Sequence, residues 1–166
     1  MLKIIFGIIM ILLPVYKTFS VDIPIKITGT IIIPPCEINN GKSIDVDFGN
    51  VMINNIESGR YNKKITFPVK CSYHQGDAHI SIFGNNIESN NQIIATNIDG
   101  LGIILHQGSK GEILTVNSEA VISSGLKNKH SELSEIQLTA ELYKDPGVNI
   151  ETGVFNTSIT IRIRYI

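Results

Sequence analysis

Apolar side chains alternate with polar ones along most of this chain, and a period of two is typical of β-strands that bury one face. The alternating or apolar runs are residues 43–48, 64–73, 78–83, 101–107, 135–143 and 156–166. Clusters such as Asn39-Asn40-Gly41 and Asp145-Pro146-Gly147 supply turn residues between them. Because no long stretch combines helical periodicity with caps at both ends, the pattern predicts an all-β fold, an antiparallel sandwich.

The first twenty residues have the pattern of a signal peptide. Lys3 gives a short basic start, an apolar run follows over residues 4–13, and Thr18 and Ser20 place small residues at the cleavage site. The apolar run is shorter than the roughly 20 residues that a membrane-spanning helix needs, so cleavage after Ser20 is favoured over an uncleaved membrane anchor. We therefore expect an exported protein.

The two cysteines, Cys36 and Cys71, both follow the predicted cleavage site. Export brings them into an oxidising compartment, where a disulfide is the expected state of such a pair. The bond would close a loop of about 35 residues and stabilise the fold by about 3–4 kcal/mol in the chain-entropy model.

Charge and side-chain chemistry argue against several function classes. Removal of residues 1–20 takes away two lysines and no acid, so the formal net charge changes from −1 to −3, which does not favour nucleic-acid binding. His74 and His79, with Asp77 between them, could be read as a metal cluster, but a polar turn is the favoured interpretation. No paired carboxylates or other catalytic set are recognised, so we expect no enzyme activity, cofactor, metal or small-molecule substrate.

The last alternating run suggests an incomplete sandwich. Its inward face carries Ile159, Ile161, Ile163 and Tyr165, and it ends with the last residue given. An immunoglobulin-like sandwich has seven strands. If this run is the sixth strand, the seventh is missing, and the sheet would expose unpaired backbone groups beside an open hydrophobic groove.

Residues 22–31 have the complementary property. One face carries Ile23, Ile25, Ile27, Gly29 and Ile31. Burying the four isoleucines would contribute about 6–12 kcal/mol before ordering costs. The segment could be the chain's own first strand or a strand that fills another protein's groove. Pro24, which lacks an N–H, favours the second interpretation, and Gly29 predicts a close approach to a shallow part of that groove.

Residues 22–51 and 95–108 resemble the minor pilins of the chaperone–usher pathway, especially the tip adaptor subunit of P-type pili. Gly153, fourteenth from the end, and the penultimate Tyr165 fit a C-terminal pattern of this family. The resemblance implies an incomplete immunoglobulin-like sandwich that lacks its last strand and carries an N-terminal donor-strand extension. The implied plan is a signal peptide over 1–20, the extension over 21–31 and a pilin domain over 32–166.

The resemblance also implies partners and site residues. A periplasmic pilus chaperone would lend a strand to the groove, and at the outer-membrane usher the next subunit's extension would replace it. The donor residues would be Ile23, Ile25, Ile27, Gly29 and Ile31, which enter the preceding subunit. The residues that accept a strand and meet the chaperone would be Gly153, Ile159, Ile161, Ile163 and Tyr165. The pair Cys36–Cys71 matches the family disulfide, and the mature protein would reside in the cell-surface pilus (fimbrium).

Several functions stay open within this interpretation. The favoured one is a structural adaptor that joins an adhesin to the fibre by donor-strand complementation. A major or other fibrillum pilin, a terminator, and a carbohydrate-binding adhesin domain are the alternatives. The extension indicates only that the chain can donate a strand, and the sequence of residues 30–51 favours the adaptor.

Overall fold

A computed structural model describes residues 21–56 and 60–166, which form ten β-strands and two short 3-10 turns. The strands are β1 (Glu37–Ile38), β2 (Asn62–Lys70), β3 (Ala78–Phe83), β4 (Asn86–Ile87), β5 (Asn90–Ala95), β6 (Leu101–Gln107), β7 (Ser118–Val121), β8 (Leu126–Lys127), β9 (Leu133–Lys144) and β10 (Thr160–Tyr165). The 3-10 turns cover Asn39–Gly41 and Ile53–Asn55. The predicted signal peptide, residues 1–20, lies outside the described residues.

The strands form two antiparallel sheets. The larger has seven strands in the order β1-β2-β9-β6-β5-β4, with β8 also paired to β9, and the smaller has the order β10-β3-β7. Strand β9 is the centre of the larger sheet, since β2 pairs with one edge of it and β6 and β8 with the other. In the smaller sheet, β10 pairs with β3 from Thr160↔Phe83 to Tyr165↔Ala78.

The core lies between the inward faces of the two sheets. Alternation follows burial closely in β9, where every second side chain from Ser134 to Leu142 is buried. The most enclosed core side chains, at most 2% exposed, include Phe67, Val69, Ile80, Ile82, Ile136, Leu138, Ile163 and Tyr165. The observed all-β architecture therefore confirms the fold class predicted from the alternating pattern. Among the described residues, no helix is long and apolar enough to cross a membrane.

The predicted disulfide is present. Cys36 and Cys71 are joined with an S–S distance of 2.04 Å, and Cys71 is buried. The backbone N–H of Cys36 also donates to the carbonyl oxygen of Ile163 at 2.8 Å. The chain entering β1 is therefore fixed both to the end of β2 and to β10.

Residues 43–48, predicted as a strand, belong to no ladder in the structure. Their alternation is real, since Ile44 is half-buried and Phe48 is buried while Asp45 and Asp47 are exposed. The strand is not formed because no neighbouring segment of the described chain pairs with it.

The chain divides into two units, Met1–Ile31 and Ile32–Ile166. Of the first unit, the structure describes residues 21–31, none of which belongs to a strand. Four isoleucines of this segment, Ile23, Ile25, Ile27 and Ile31, are exposed.

Candidate functional site

An open groove crosses the unit Ile32–Ile166 between two segments that lie largely outside the strands. We call residues 43–48 the first lip and residues 154–159 the second lip. The apolar side chains lining the groove between the lips come from β2, β5, β6, β9 and the turn before β6. We call these residues the floor of the groove: Ile65, Ile94, Ile98, Leu101, Ile103, Leu105 and Ala140. The groove thus gives access to side chains that belong to or pack on the core.

The lips are not hydrogen-bonded to each other through their backbones. Backbone groups of residues 44–48 make no hydrogen bond with the backbone of any described residue. The second lip is held from one side, because Asn97 N–H donates to Asn156 O at 3.2 Å and Thr157 Oγ1 donates to Ala95 O at 2.7 Å. The space between the lips is therefore bordered by backbone groups that a further strand could pair with.

An aromatic pair bridges the lips. Phe48 of the first lip and Phe155 of the second have ring centroids 6.1 Å apart, with their planes tilted by 48°. Both rings line two hollows, of about 380 and 530 Å³. The smaller hollow extends along residues 46–51 and 150–155, and the larger along residues 43–48 and 155–159. The pair therefore marks a narrowing between two deeper parts of one groove.

Exposed apolar side chains line the smaller hollow. Val154 is 85% exposed and Val46 is also exposed, and both line this hollow together with Ile98 and Leu101. Exposed apolar side chains that line a common groove are typical of interaction sites.

The structure separates the five residues predicted to accept a strand. Gly153 lines the smaller hollow and Ile159 lines the larger one. Ile161 is half-buried against the core. Ile163 and Tyr165 are each 1% exposed and pair with Ile80 and Ala78 of β3, so their side chains belong to the core rather than to the groove.

Sequence reasoning missed the first lip and the floor as parts of the site. The alternation of Ile44, Val46 and Phe48 predicted a strand but gave no indication that it faces the second lip across a gap. Floor residues such as Leu105 and Ala140 have the pattern of ordinary core positions, and the sequence carries no signal that separates the two cases.

The side chains of His74, His130 and Lys129 each contact a polar atom of another residue. His74 Nδ1 lies 3.3 Å from Cys71 O, His130 Nδ1 lies 3.3 Å from His74 O, and Lys129 Nζ lies 3.2 Å from Asp77 Oδ1. Within residues 21–56 and 60–166, no three His, Cys, Asp or Glu side chains form a group able to hold a metal ion.

One ion pair, between Arg164 and Glu119, shifts the pKa values of both its members. Arg164 donates through Nε and Nη2 to the two carboxylate oxygens of Glu119, each at 2.8 Å. This bidentate contact lowers the pKa of Glu119 and raises the pKa of Arg164. The pair links β10 to β7 across β3.

Comparison with known proteins agrees with this architecture. The family "Fimbrial protein" matches residues 25–166. Among curated relatives from Escherichia coli, the fimbrial adapter PapF is 41% identical over 88 residues (52% of this chain, 53% of PapF), and the minor fimbrial protein PrsF is 40% identical over 88 residues with the same coverage. The matched segment thus spans about half the length of these two relatives. Fimbrial protein PrsE is 28% identical over 147 residues, 82% of both chains.

Solved structures share the fold. The P pilus adaptor subunit PapF superimposes with a TM-score of 0.58 and 29% identity, over 81% of this chain and 98% of that one. The P pilus rod subunit PapA has a TM-score of 0.65 and 19% identity, over 80% and 100% of the two chains. These matches confirm the predicted incomplete immunoglobulin-like sandwich, and the chain belongs to the fimbrial protein family.

Proposed function

We propose that this chain is a structural minor subunit of a chaperone–usher pilus, a tip adaptor that joins an adhesin to the fibre. The observation that carries the proposal is the groove itself, with an apolar floor between two lips that share no backbone hydrogen bond. A strand inserted between the lips would complete the sheet, a mode of recognition in which backbone pairing supplies affinity and side-chain pockets supply specificity.

The relative direction of the two lips determines how an inserted strand would pair with each of them. Phe48 lies against Phe155, and residues 43–44 line the same hollow as residues 158–159, so the lips run antiparallel. A strand antiparallel to the second lip is therefore parallel to the first. Its inward side chains would follow one another at about 6.6–6.8 Å, two residues of rise.

A glycine in the inserted strand would suit the narrowing at Phe48 and Phe155. This chain's own residues 22–31 illustrate a donor pattern, with isoleucine at alternate positions before Gly29 and again at Ile31. With the glycine placed over the aromatic pair, the preceding isoleucines point into the larger hollow and the following one into the smaller hollow. The pattern of the donor and the shape of the groove are thus complementary.

The donor role falls on the N-terminal segment. We propose that residues 1–20 are removed as a signal peptide, that residues 21–31 enter the groove of the preceding subunit, and that residues 32–166 form the pilin domain. The donor side chains are those predicted from the sequence: Ile23, Ile25, Ile27, Gly29 and Ile31. The exposure of the four isoleucines in the described segment supports this role.

The predicted acceptor residues have two different structural roles. Gly153 and Ile159 line the groove, whereas Ile163 and Tyr165 hold β10 against β3 and so fix the second lip. Ile161 lies between these two groups in the sequence. The partners are a periplasmic pilus chaperone, an outer-membrane usher and adjacent subunits including an adhesin, in a pathway that ends in the cell-surface pilus.

The adaptor role rests on the two curated relatives named an adapter and a minor fimbrial protein, at 41% and 40% identity. A major or other fibrillum pilin is the second candidate, because a relative named only as a fimbrial protein, PrsE, aligns over 82% of both chains at 28% identity. We propose a structural role and no enzymatic one.

The test is to supply the missing strand. A copy of residues 21–33 is fused after Ile166 through a short Gly/Ser linker, and the fused and unfused chains are compared by size-exclusion chromatography and thermal unfolding. We expect the unfused chain to aggregate and the fused chain to be a soluble monomer. A matched control carries aspartate in place of Ile27 in the fused copy, which should abolish the gain. A stable, soluble monomer without any added strand would overturn the proposal.

A further inference from the structure

The turn between β1 and the first lip contains three consecutive residues with a left-handed backbone. The φ angles are 50° at Asn39, 54° at Asn40 and 73° at Gly41. Asparagine and glycine adopt this conformation more readily than other residues do. The turn connects β1, which lies next to the disulfide, to residues 44–48, whose backbone makes no hydrogen bond with the backbone of any described residue.

The side chain of Asn39 closes this turn onto the start of the lip. Its Nδ2 lies 3.1 Å from Lys42 O and 3.2 Å from Ser43 O, and Lys42 N–H donates back to Asn39 O at 3.0 Å. Ser43 is the first residue of the first lip. The amide of Asn39 is therefore the last hydrogen-bonded anchor before residues 44–48.

The other end of the lip is held differently. Phe48 is buried against Phe155, and Gly49 N–H donates to Asp47 Oδ1 at 2.8 Å. Between the two ends, Ile44 and Val46 are the apolar side chains of the lip that line the larger hollow. The direction of the lip at Ser43 thus depends on the turn that Asn39 closes.

We propose that Asn39 is a positioning residue, which holds the first lip extended and in register for an incoming strand. The inference rests on the proposed function, because the lip needs a register only if a strand pairs with it. Without the amide, residues 43–46 would have to be ordered by the incoming strand, and part of its binding free energy would be lost in ordering them. The effect should be local, since the hydrogen bonds that the side chain of Asn39 makes within the described residues go only to Lys42 and Ser43.

The experiment measures amide hydrogen exchange in the chain that carries the fused strand after Ile166. Asn39→Asp keeps the size of the side chain, removes both N–H donors and directs a negative charge at two carbonyl oxygens. The matched control is Asn40→Asp, the same substitution at the next left-handed residue, which lies in the same turn but does not bond to the lip. Asn39→Gly is a second variant, which keeps the left-handed backbone at no steric cost and removes the amide.

We expect both Asn39 variants to lose about threefold to tenfold in the protection of amides in residues 43–48, which is the effect of losing about one net hydrogen bond. Protection in β9 should not change, and Asn40→Asp should behave as the unchanged chain does. Equal losses in the lip and in β9, equal losses in the Asn40 control, or unchanged lip protection in both Asn39 variants would each overturn the role of Asn39. An absence of lip protection in the chain with the unaltered fused strand would instead overturn strand acceptance at this groove.

Discussion

The narrowing at Phe48 and Phe155 allows a direct test of how a strand sits in the groove. In the chain with the fused copy of residues 21–33, the copied Gly29 is replaced by isoleucine. If this position lies over the aromatic pair, the new side chain meets two rings whose centroids are only 6.1 Å apart. Overpacking of this kind costs about 1–3 kcal/mol. For a domain of this size, about 2–4 °C of melting temperature is lost per kcal/mol, so we expect a fall of roughly 2–12 °C.

A second substitution tests whether contact with the aromatic pair causes the loss of stability. Phe155→Ala opens the narrowing, at a cost of its own, and in that background the glycine-to-isoleucine change should be neutral or stabilising. A double-mutant cycle by thermal unfolding should give a coupling of about 1–3 kcal/mol between the two positions. Replacing the copied Thr30 by isoleucine is the matched control, because its side chain points to the opposite face. If the glycine change costs the same in the unchanged chain and in the Phe155→Ala variant, the proposed register of the strand is refuted.

Two further predictions concern the extension and pH. Ile27→Asp in the chain's own extension should block the joining of this subunit to the preceding one, because it places a charge in an apolar groove, but it should leave chaperone binding intact. Co-purification with the chaperone and strand-exchange assays measure the two effects, and Lys26→Asp, on the opposite face, should have little effect on either. Normal fibres from Ile27→Asp would contradict the donor assignment. Arg164 lowers the pKa of Glu119 in the folded chain, so the pair stabilises the fold above the unfolded pKa of about 4.3, and this stabilisation is lost as pH falls toward the folded pKa. Urea unfolding should therefore show Glu119→Gln less stable than the unchanged chain at pH near 7, with a smaller difference at pH near 3, and a difference that persists in full at the lower pH would rule out an ionic origin.

The strands that the sequence predicts well are those with one face packed on the core over most of their length. Residues 135–143 lie within β9, whose neighbours β2, β6 and β8 occupy both of its edges. Such a strand alternates strongly because one face packs on the core over its whole length. Strand β5, in contrast, begins with Asn90, Asn91 and Gln92 and has only Ile93 and Ile94 as strongly apolar residues. Its existence depends on pairing with β4 and β6, which no local pattern encodes.

The groove is harder to predict than the strands. Alternation shows that a face is covered, but it does not show what covers it. Ile159, Ile163 and Tyr165 share one face of the last run, yet of these three only Ile159 lines the groove. The groove does not extend to Ile163, because the carbonyl oxygen of Ile163 accepts a hydrogen bond from the backbone N–H of Cys36. These two residues are far apart in sequence. Such a contact has to be seen in three dimensions before the open part of the sheet can be located.

The same contact holds one end of the open groove within the unit Ile32–Ile166. Near Ile163, β10 has β3 on one side and Cys36 on the other, and the disulfide joins Cys36 to the end of β2. The sandwich is therefore closed at this end and open toward Phe155. An inserted strand needs to pair only along the open part, where the first lip spans about 17 Å when extended. At about 6.8 Å between inward side chains, that length places about three of them against the lip, and the hollow beyond Phe48 takes one more. A donor with isoleucines on both sides of a single glycine meets this requirement, which is why the shape of the groove, rather than its apolar character alone, supports strand insertion.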